Sequence, residues 1–482
     1  MKSEQKNNFS PRDFLLLGVI LCFALFFRLY KINAPLADFN SWKQADTAAI
    51  AQNFTERQFN IFQPEYADIS GRNIGLHSFE FPMYSAFLGA IYKYFPLLSL
   101  EAYGRLLSII SSLCVIAIIY LLLQQEFSRL AAFSASLVYA VFPFFVFFSR
   151  VILPEPMAIT FIFLGILFLY FFSKEKRRTF QWTFLSISSA LFALGLLISP
   201  YTITYCIVAI AVFMKKYRWE LLRKFSVYFF LIITFVPFFL WQMHISKNTN
   251  GGLLNYLLDS NVYTTPDNHR TFFHPSFFSV VLYERIATTV LGGLMTFFLI
   301  LGIFSRTKRI FFAALLFSTL VFLFLFQSLN VRHVHFLLFI LPVIAIYVGI
   351  GVDYLRRNYK TFLPVPLLII IATLFFGLSF FVSYEKIKPY YSYSNDLISI
   401  TNLIKDLTQK DDKIITDTNG DTTLLYISHR KGAASKYENL EALAKEGYVY
   451  FITQKADEIT QLKKERVYQL VFENEKVAIF KL

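Results

Sequence analysis

Eleven apolar runs divide most of the chain, each near the roughly 20 residues that a helix needs to cross the hydrocarbon core of a bilayer. They cover residues 12–31, 103–124, 130–148, 157–173, 181–198, 200–214, 225–243, 281–304, 310–328, 334–352 and 362–384. With hydrophobic residues at 56% and a mean hydropathy of +0.51, an ordinary soluble globular fold is excluded. The expected fold is therefore a polytopic α-helical membrane protein. The first 13 residues are polar, and the run after them has no small-residue cleavage site, so it reads as a retained helix rather than a removed signal peptide.

Charge decides which connections share a side. The chain has 46 basic and 32 acidic residues, and 15 of each lie in residues 385–482, so the whole positive excess lies before residue 385. Basic clusters at 174–178, 215–224, 306–309 and 353–360 all fall in the cytoplasm under the positive-inside rule if the N-terminus is inside and residues 81–98 do not span. Counting 81–98 as a span would put every one of them outside, so that segment reads as a half-buried helix at the outer surface. The same parity gathers residues 32–102, 149–156, 244–280, 327–333 and the tail on the outer face of a cell (inner) membrane. There is no basic stripe or stacking motif for nucleic acid, no phosphate-binding glycine pattern, and no cysteine spacing for a metal knuckle.

Two regions break the apolar pattern. Residues 37–54, ADFNSWKQADTAAIAQNF, place Asp38 and Asp46 on either side of Trp42, Lys43 and Gln44. From residue 385 charges alternate among short apolar runs: DKIITDT, TLLYIS, YVYFIT, RVYQLVFE and KVAIFKL read as strands, with helices at 395–408 and 437–445. The expected division is thus a transmembrane domain, 1–384, with an outer loop at 32–102, and a soluble α/β domain, 385–482.

Four motifs can carry chemistry. Asp46 precedes an Ala-rich helical stretch, where a carboxylate either caps the helix or engages an acceptor hydroxyl or a cation; Asp38 competes for that role or is a solvated loop acid. In the outer turn 149–156, Arg150 and Glu155 flank apolar residues, either as an internal ion pair or with Glu155 turned to an outer cavity, since charges so close to hydrocarbon are costly unless paired. His77 and Glu80, with His269, Arg270 and His274, either bind a metal or lie in solvent. Arg332, His333 and His335, at the head of an apolar run, either anchor it or clamp a lipid phosphate, for which Arg offers bidentate contacts.

The order WKQADTAAIAQNF, Glu80-Phe81-Pro82, SRxxxPEP at 149–156 and RHVHFLLFILP at 332–342 resembles the GT-C membrane glycosyltransferases. More narrowly, it resembles the bacterial branch related to protein O-mannosyltransferases and to the aminoarabinose transferase of lipid A. The likeness extends into the tail, where residues 425–432, LYISHRKG, are similar to a recurring segment of that branch. It implies a polyprenyl-phosphate sugar as donor, a hexose or pentose transferred with inversion to a protein, lipid or glycan acceptor, and an active site on the outer face. On this likeness Asp46 matches the acidic residue that engages the acceptor, and Glu155 a second acidic position. Thr47 follows Asp46 where the family commonly has an Asp-Glu pair, which leaves the choice between Asp46 and Asp38 open. Phe81-Pro82-Met83 stands where relatives have a basic residue before two prolines, so the charge for the donor phosphate falls to Lys43, Arg270 or Arg332. One branch holds a divalent cation with a Glu near Glu80 and a His that would be His269 or His274. The competing class is a lipid-sugar flippase or transporter, which should place ionisable residues near the bilayer midplane; a third is a non-catalytic scaffold.

Overall fold

Where the apolar runs enter hydrocarbon, backbone groups must find partners within the chain, and helices supply them. The computed structural model describes residues 9–57, 59–70, 80–247, 275–305, 309–358 and 364–482, and the backbone of one two-stranded pair, β1 (Tyr263–Thr264) and β2 (Arg270–Thr271). The chain divides into two compact units. The first comprises Met1–Tyr30, Phe79–Phe81 and Leu106–Pro389, and the second Lys31–Ser78, Pro82–Arg105 and Tyr390–Leu482. The loop that the sequence reading counted with the membrane domain thus shares its unit with the tail.

The first unit is a bundle. Among the described residues six apolar segments are long enough to cross a membrane: Leu100–Glu126, Glu155–Lys174, Arg178–Ile198, Phe225–Ser246, Val334–Asn358 and the helix Val365–Ile387. Other expected runs are interrupted for local reasons. The run 130–148 becomes Arg129–Val141 and Pro143–Phe148, because Phe142 is extended and Pro143 has no N–H to continue the ladder. The run 281–304 becomes a wide π-type helix, Phe277–Val290, and a second helix, Thr296–Phe304, separated by Gly292 and Gly293 at positive φ. The run 200–214 opens with a tight 3-10 turn at Pro200–Tyr205 before Cys206–Tyr217. Helices also approach closely: a Cβ at Gly302 would lie 1.9 Å from the Tyr347 carbonyl oxygen, so only glycine fits there.

One end of the bundle is tied by ion pairs. Asp13 accepts from Arg129 Nε at 2.6 Å and from the Tyr120 hydroxyl at 3.1 Å. Asp353 accepts from Ser128 Oγ at 2.6 Å and pairs with Arg357 at 2.8 Å. Glu126 meets Lys174 at 3.0 Å, Arg309 at 3.5 Å and the Tyr170 hydroxyl at 2.5 Å. All these charged groups lie at helix ends, and the charge bias had assigned the basic clusters among them to one side.

In the second unit the helix Ser41–Glu56 packs on Met83–Tyr94, with Ile50, Phe54 and Ala86 forming a small core and Ser85 Oγ donating to the Thr47 carbonyl at 2.8 Å. Met83–Tyr94 has 12 residues, about 18 Å of helix, too short to span. The tail forms a five-stranded mixed sheet from β3 (Lys413–Thr416), β4 (Gly432–Ala433), β5 (Tyr448–Thr453), β6 (Gln469–Glu473) and β7 (Ala478–Lys481), in the order β4-β3-β5-β7-β6. β3 runs parallel to β4 and β5, and β7 antiparallel to β5 and β6. Ile415, Phe451, Leu443, Leu462 and Phe480 fill its core. TLLYIS, expected as a strand, is instead the helix Thr423–Ser428: Asp421 accepts from the Thr423 N–H at 2.8 Å, and His429 ends it in the left-handed region at φ 54.

Residues 67–69 extend this sheet from the first loop. Asp68 pairs in parallel with Gly432, the Ile69 N–H donates to the Gly432 carbonyl at 2.7 Å, and the Gly432 N–H donates to the Ala67 carbonyl at 3.1 Å. Gly432 sits so close to β3 that a Cβ there would lie 1.7 Å from the Ile414 carbonyl oxygen.

Candidate active site

The helix that carries Asp46 starts at Ser41, after Asn40 in the left-handed region at φ 61. Asp46 therefore lies in the second turn and does not cap the helix, which removes the capping account of this carboxylate. The start is set by Asn40, a residue that tolerates left-handed backbone, and the continuation by the alanines at 45, 48, 49 and 51, all buried.

Asp46 Oδ1 accepts from Thr422 Oγ1 at 2.7 Å, and the same hydroxyl lies 3.1 Å from the Trp42 carbonyl oxygen. Thr423 Oγ1 donates to Ser41 Oγ at 2.9 Å. The tail turn 421–423 is thereby laid against the first two turns of the helix. Burial pushes the Asp46 carboxyl up to about 7; the Thr422 hydrogen bond and the Lys43 charge pull it down, and the Asp68 and Asp421 carboxylates push it further up. The result is a half-buried acid that ionises near neutrality, the condition under which a general base works best.

Asp38 is buried, 6% exposed, and not the solvated loop acid that its position allowed. Its Oδ1 accepts from Gln44 Nε2 at 2.7 Å, and its Oδ2 lies 4.0 Å from Arg105. Arg105, itself buried, also donates to the carbonyls of Ile32 at 2.7 Å and Ala34 at 2.5 Å. Asp38 thus belongs to a buried polar knot that fixes the chain entering the helix.

Of the other described candidates, Lys43 is half-buried one helical turn before Asp46, and Glu80, Arg150, Glu155, Arg332, His333 and His335 belong to the first unit. Glu155 is the first residue of the helix Glu155–Lys174, behind Pro154, and both Glu155 and Arg150 are 1% exposed. Arg332 ends the short helix Gln327–Arg332 and is exposed, His333 is half-buried, and His335 is buried with its ring 5.6 Å from that of His333. Arg285, which sequence reading absorbed into a spanning run, donates to the carbonyls of Asn330 and, at 2.6 Å, Val331, so it holds the segment that carries Arg332. Glu80 is half-buried, and the N–H of Phe81 beside it donates to the Leu197 carbonyl at 2.9 Å.

Arg270 belongs to β2, but its side chain, together with His77, His269 and His274, lies outside the described residues. Among the described residues no three His, Cys, Asp or Glu side chains are grouped so as to hold a metal ion. Thr422, Asp68 and Asp421 were not singled out in the sequence. The available signal was the likeness of the neighbouring 425–432 stretch, which pointed to this part of the tail without naming a side chain.

The chain has the fold of the GT-C membrane glycosyltransferases. The family model for dolichyl-phosphate-mannose-protein mannosyltransferase matches residues 80–242. The structure of ArnT from Cupriavidus metallidurans bound to undecaprenyl phosphate is similar with a TM-score of 0.70 at 12% identity, covering 96% of this chain and 97% of that one. The archaeal oligosaccharyltransferase AglB from Archaeoglobus fulgidus, in complex with an inhibitory peptide and a dolichol-phosphate, is similar with a TM-score of 0.61 at 12% identity, covering 92% and 69%. The arabinofuranosyltransferase AftD from Mycobacteria is similar with a TM-score of 0.59 at 11% identity, covering 98% of this chain and 42% of its own. No curated protein matches the chain by sequence.

Proposed function

We propose that this chain is an inverting glycosyltransferase that moves a hexose or pentose from a polyprenyl-phosphate donor to an acceptor hydroxyl on the outer face of the cell membrane. The observation that carries the reading is Asp46: a half-buried carboxylate, oriented by Thr422 and ionising at about 7. The family match and the lipid phosphates held by ArnT and AglB support a lipid-linked donor. In this reading the bundle crosses the membrane eleven times, the end tied by Asp13, Glu126 and Asp353 faces the cytoplasm, and residues 385–482 are extracytoplasmic.

Asp46 takes the proton of the acceptor hydroxyl as its oxygen bonds to the anomeric carbon from the face opposite the lipid phosphate. The bond from that carbon to the phosphate oxygen breaks, and the electron pair leaves with the phosphate, giving inversion. The growing charge on the phosphate is matched by basic groups, for which Lys43, Arg332, His333, His335 and Arg270 are the candidates, and such preorganised matching supplies much of the rate enhancement. Glu155, the second acid of the likeness, is proposed as a positioning carboxylate.

Asp46→Asn keeps the shape and the oxygen that accepts from Thr422 but removes the base. Transfer from a polyprenyl-phosphate sugar should fall by roughly 10²–10⁴-fold, the range for a general base, with the thermal midpoint of the purified protein retained. Near-normal turnover in that variant would refute the assignment.

A further inference from the structure

Beyond Asp46 the second unit carries a charged groove that the transferase chemistry does not use. One cavity of about 400 Å³ is lined by Arg57, Lys410, Lys413 and Lys431 with Glu65 and Asp411. A second, of about 450 Å³, is lined by Lys405, Lys410 and Arg430 with Glu56 and His429. A narrow neck shares residues with both and is floored by Ala49, Gln52 and Asn53 of the Asp46 helix, so the two form one groove.

Three features of this groove point to a ligand of one chemistry. Its basic side chains outnumber its acidic ones six to three, so that a positive excess is left after Glu56 pairs with Lys410 at 3.1 Å and Glu65 with Lys431 at 2.6 Å and Arg57 at 3.3 Å, although residues 385–482 as a whole are evenly balanced. Its floor lies on the helix face of Asp46, since residues 46, 49 and 53 recur at helical spacing, and from Asp46 to Glu56 is about 15 Å along the axis. Charged and polar residues line it together with Ile69, Leu425 and Tyr426, a mixture of oxyanion partners and apolar faces that suits a saccharide. The turn that builds it is fixed from below: Arg430, buried, donates to Thr408 Oγ1 at 2.9 Å and to the Thr408 carbonyl at 2.8 Å, and His429 is held in left-handed backbone 2.8 Å from Gln52. Burial above all, and then the Lys405 charge, press the His429 ring toward its neutral form, against the Glu56 and Glu101 carboxylates.

We propose that this groove is the acceptor site of the transferase and that it binds an anionic saccharide, one bearing phosphate or carboxylate groups, with its hydroxyl led along the helix toward Asp46. The inference rests on the transferase reading for the word acceptor, but the binding itself does not. Surface lysines in such a groove act as point charges for oxyanions, and their contribution falls with ionic strength.

Binding of three fluorescently labelled tetrasaccharides, one uronic, one phosphorylated and one neutral, to the full-length protein in detergent tests it without turnover. The charged probes should bind at least tenfold tighter than the neutral one, and added salt should weaken them; the tighter of the two names the anionic group. The exposed triple variant Lys405→Gln, Lys410→Gln, Lys413→Gln, with an unchanged thermal midpoint, should lose at least tenfold for the charged probes. Equal affinity for the neutral probe, wild-type affinity in the triple variant, or competitive displacement by polyprenyl phosphate would each overturn the proposal. If instead Asp46→Asn transferred sugar normally while the charged probes behaved as expected, the catalytic assignment would fail and the groove would stand.

Discussion

At the scale of single residues, the informative fact about Asp46 is that burial and acidic neighbours hold its proton where an ordinary aspartate would lose it at about pH 3.9. A carboxylate whose ionisation is raised by folding favours the folded state at low pH. That stability is lost as pH rises through about 7, while the proposed base ionises over the same interval. Activity should therefore rise with a single ionisation near neutrality. Thr422→Val removes the hydrogen bond that pulls the ionisation down and should move the midpoint of the pH–rate profile upward; Asp68→Asn or Asp421→Asn removes a like charge and should move it downward. Steady-state rates across pH 5 to 9, a range chosen to bracket the optimum for a general base, would check both directions. A profile indifferent to all three substitutions would mean that another group sets it. The polar surroundings in the sequence were enough to single out Asp46. They were not enough to exclude a cap, because that depends on whether the helix begins at Ser41 or at Asp46, and Asn40 decides it through a left-handed backbone that no hydrophobic pattern reveals. Asp38 was misjudged for a related reason: its partner Arg105 belongs to a different segment, so its burial was invisible locally.

Among the elements, those with a strong period were legible and those settled by one or two polar contacts were not. The helix Asn395–Leu407 and the strands β3, β5, β6 and β7 lie where alternating or helical spacing placed them. TLLYIS is a short apolar run, and such runs fit a strand or a buried helix equally well; the Asp421 carboxylate at one end and His429 at the other tip it to helix. β4 has only two residues and owes its existence to Gly432, squeezed between β3 and the strand-like residues 67–69. Gly432→Ala forces a methyl group onto the Ile414 carbonyl. It should destabilise this unit by about 1–3 kcal/mol, as overpacking does, and lower transfer by loosening the Thr422 contact to Asp46. Differential hydrogen exchange should show lost protection at both 67–69 and 413–416. Loss confined to the glycine's own strand would argue against a shared sheet. In the bundle, six of the eleven apolar runs are helices long enough to span, but the breaks at Phe142-Pro143 and Gly292-Gly293 were not legible, because apolar composition continues straight through them.

For the whole molecule, the charge-parity reading makes a checkable map. Asp13, Glu126, Arg129, Lys174, Arg309 and Asp353 meet through hydrogen bonds and ion pairs at one end of the bundle, which joins clusters far apart in sequence on a single side. If that side is cytoplasmic, a cysteine at Lys176 should react with a membrane-impermeant maleimide only after cells are permeabilised, and one at Glu475 should react in intact cells. The reverse pattern would invert the proposed topology and with it the location of the transfer. The pairing of residues 67–69 with Gly432, and of Asp46 with Thr422 across 376 positions, also has a consequence in time. During synthesis the Asp46 helix is completed while the turn that orients it has yet to be translated, and contacts of such separation form late. The ribosome must add 376 residues after Asp46 before the carboxylate acquires its partner, so a product terminated ahead of Thr422 would never gain the hydroxyl that orients it.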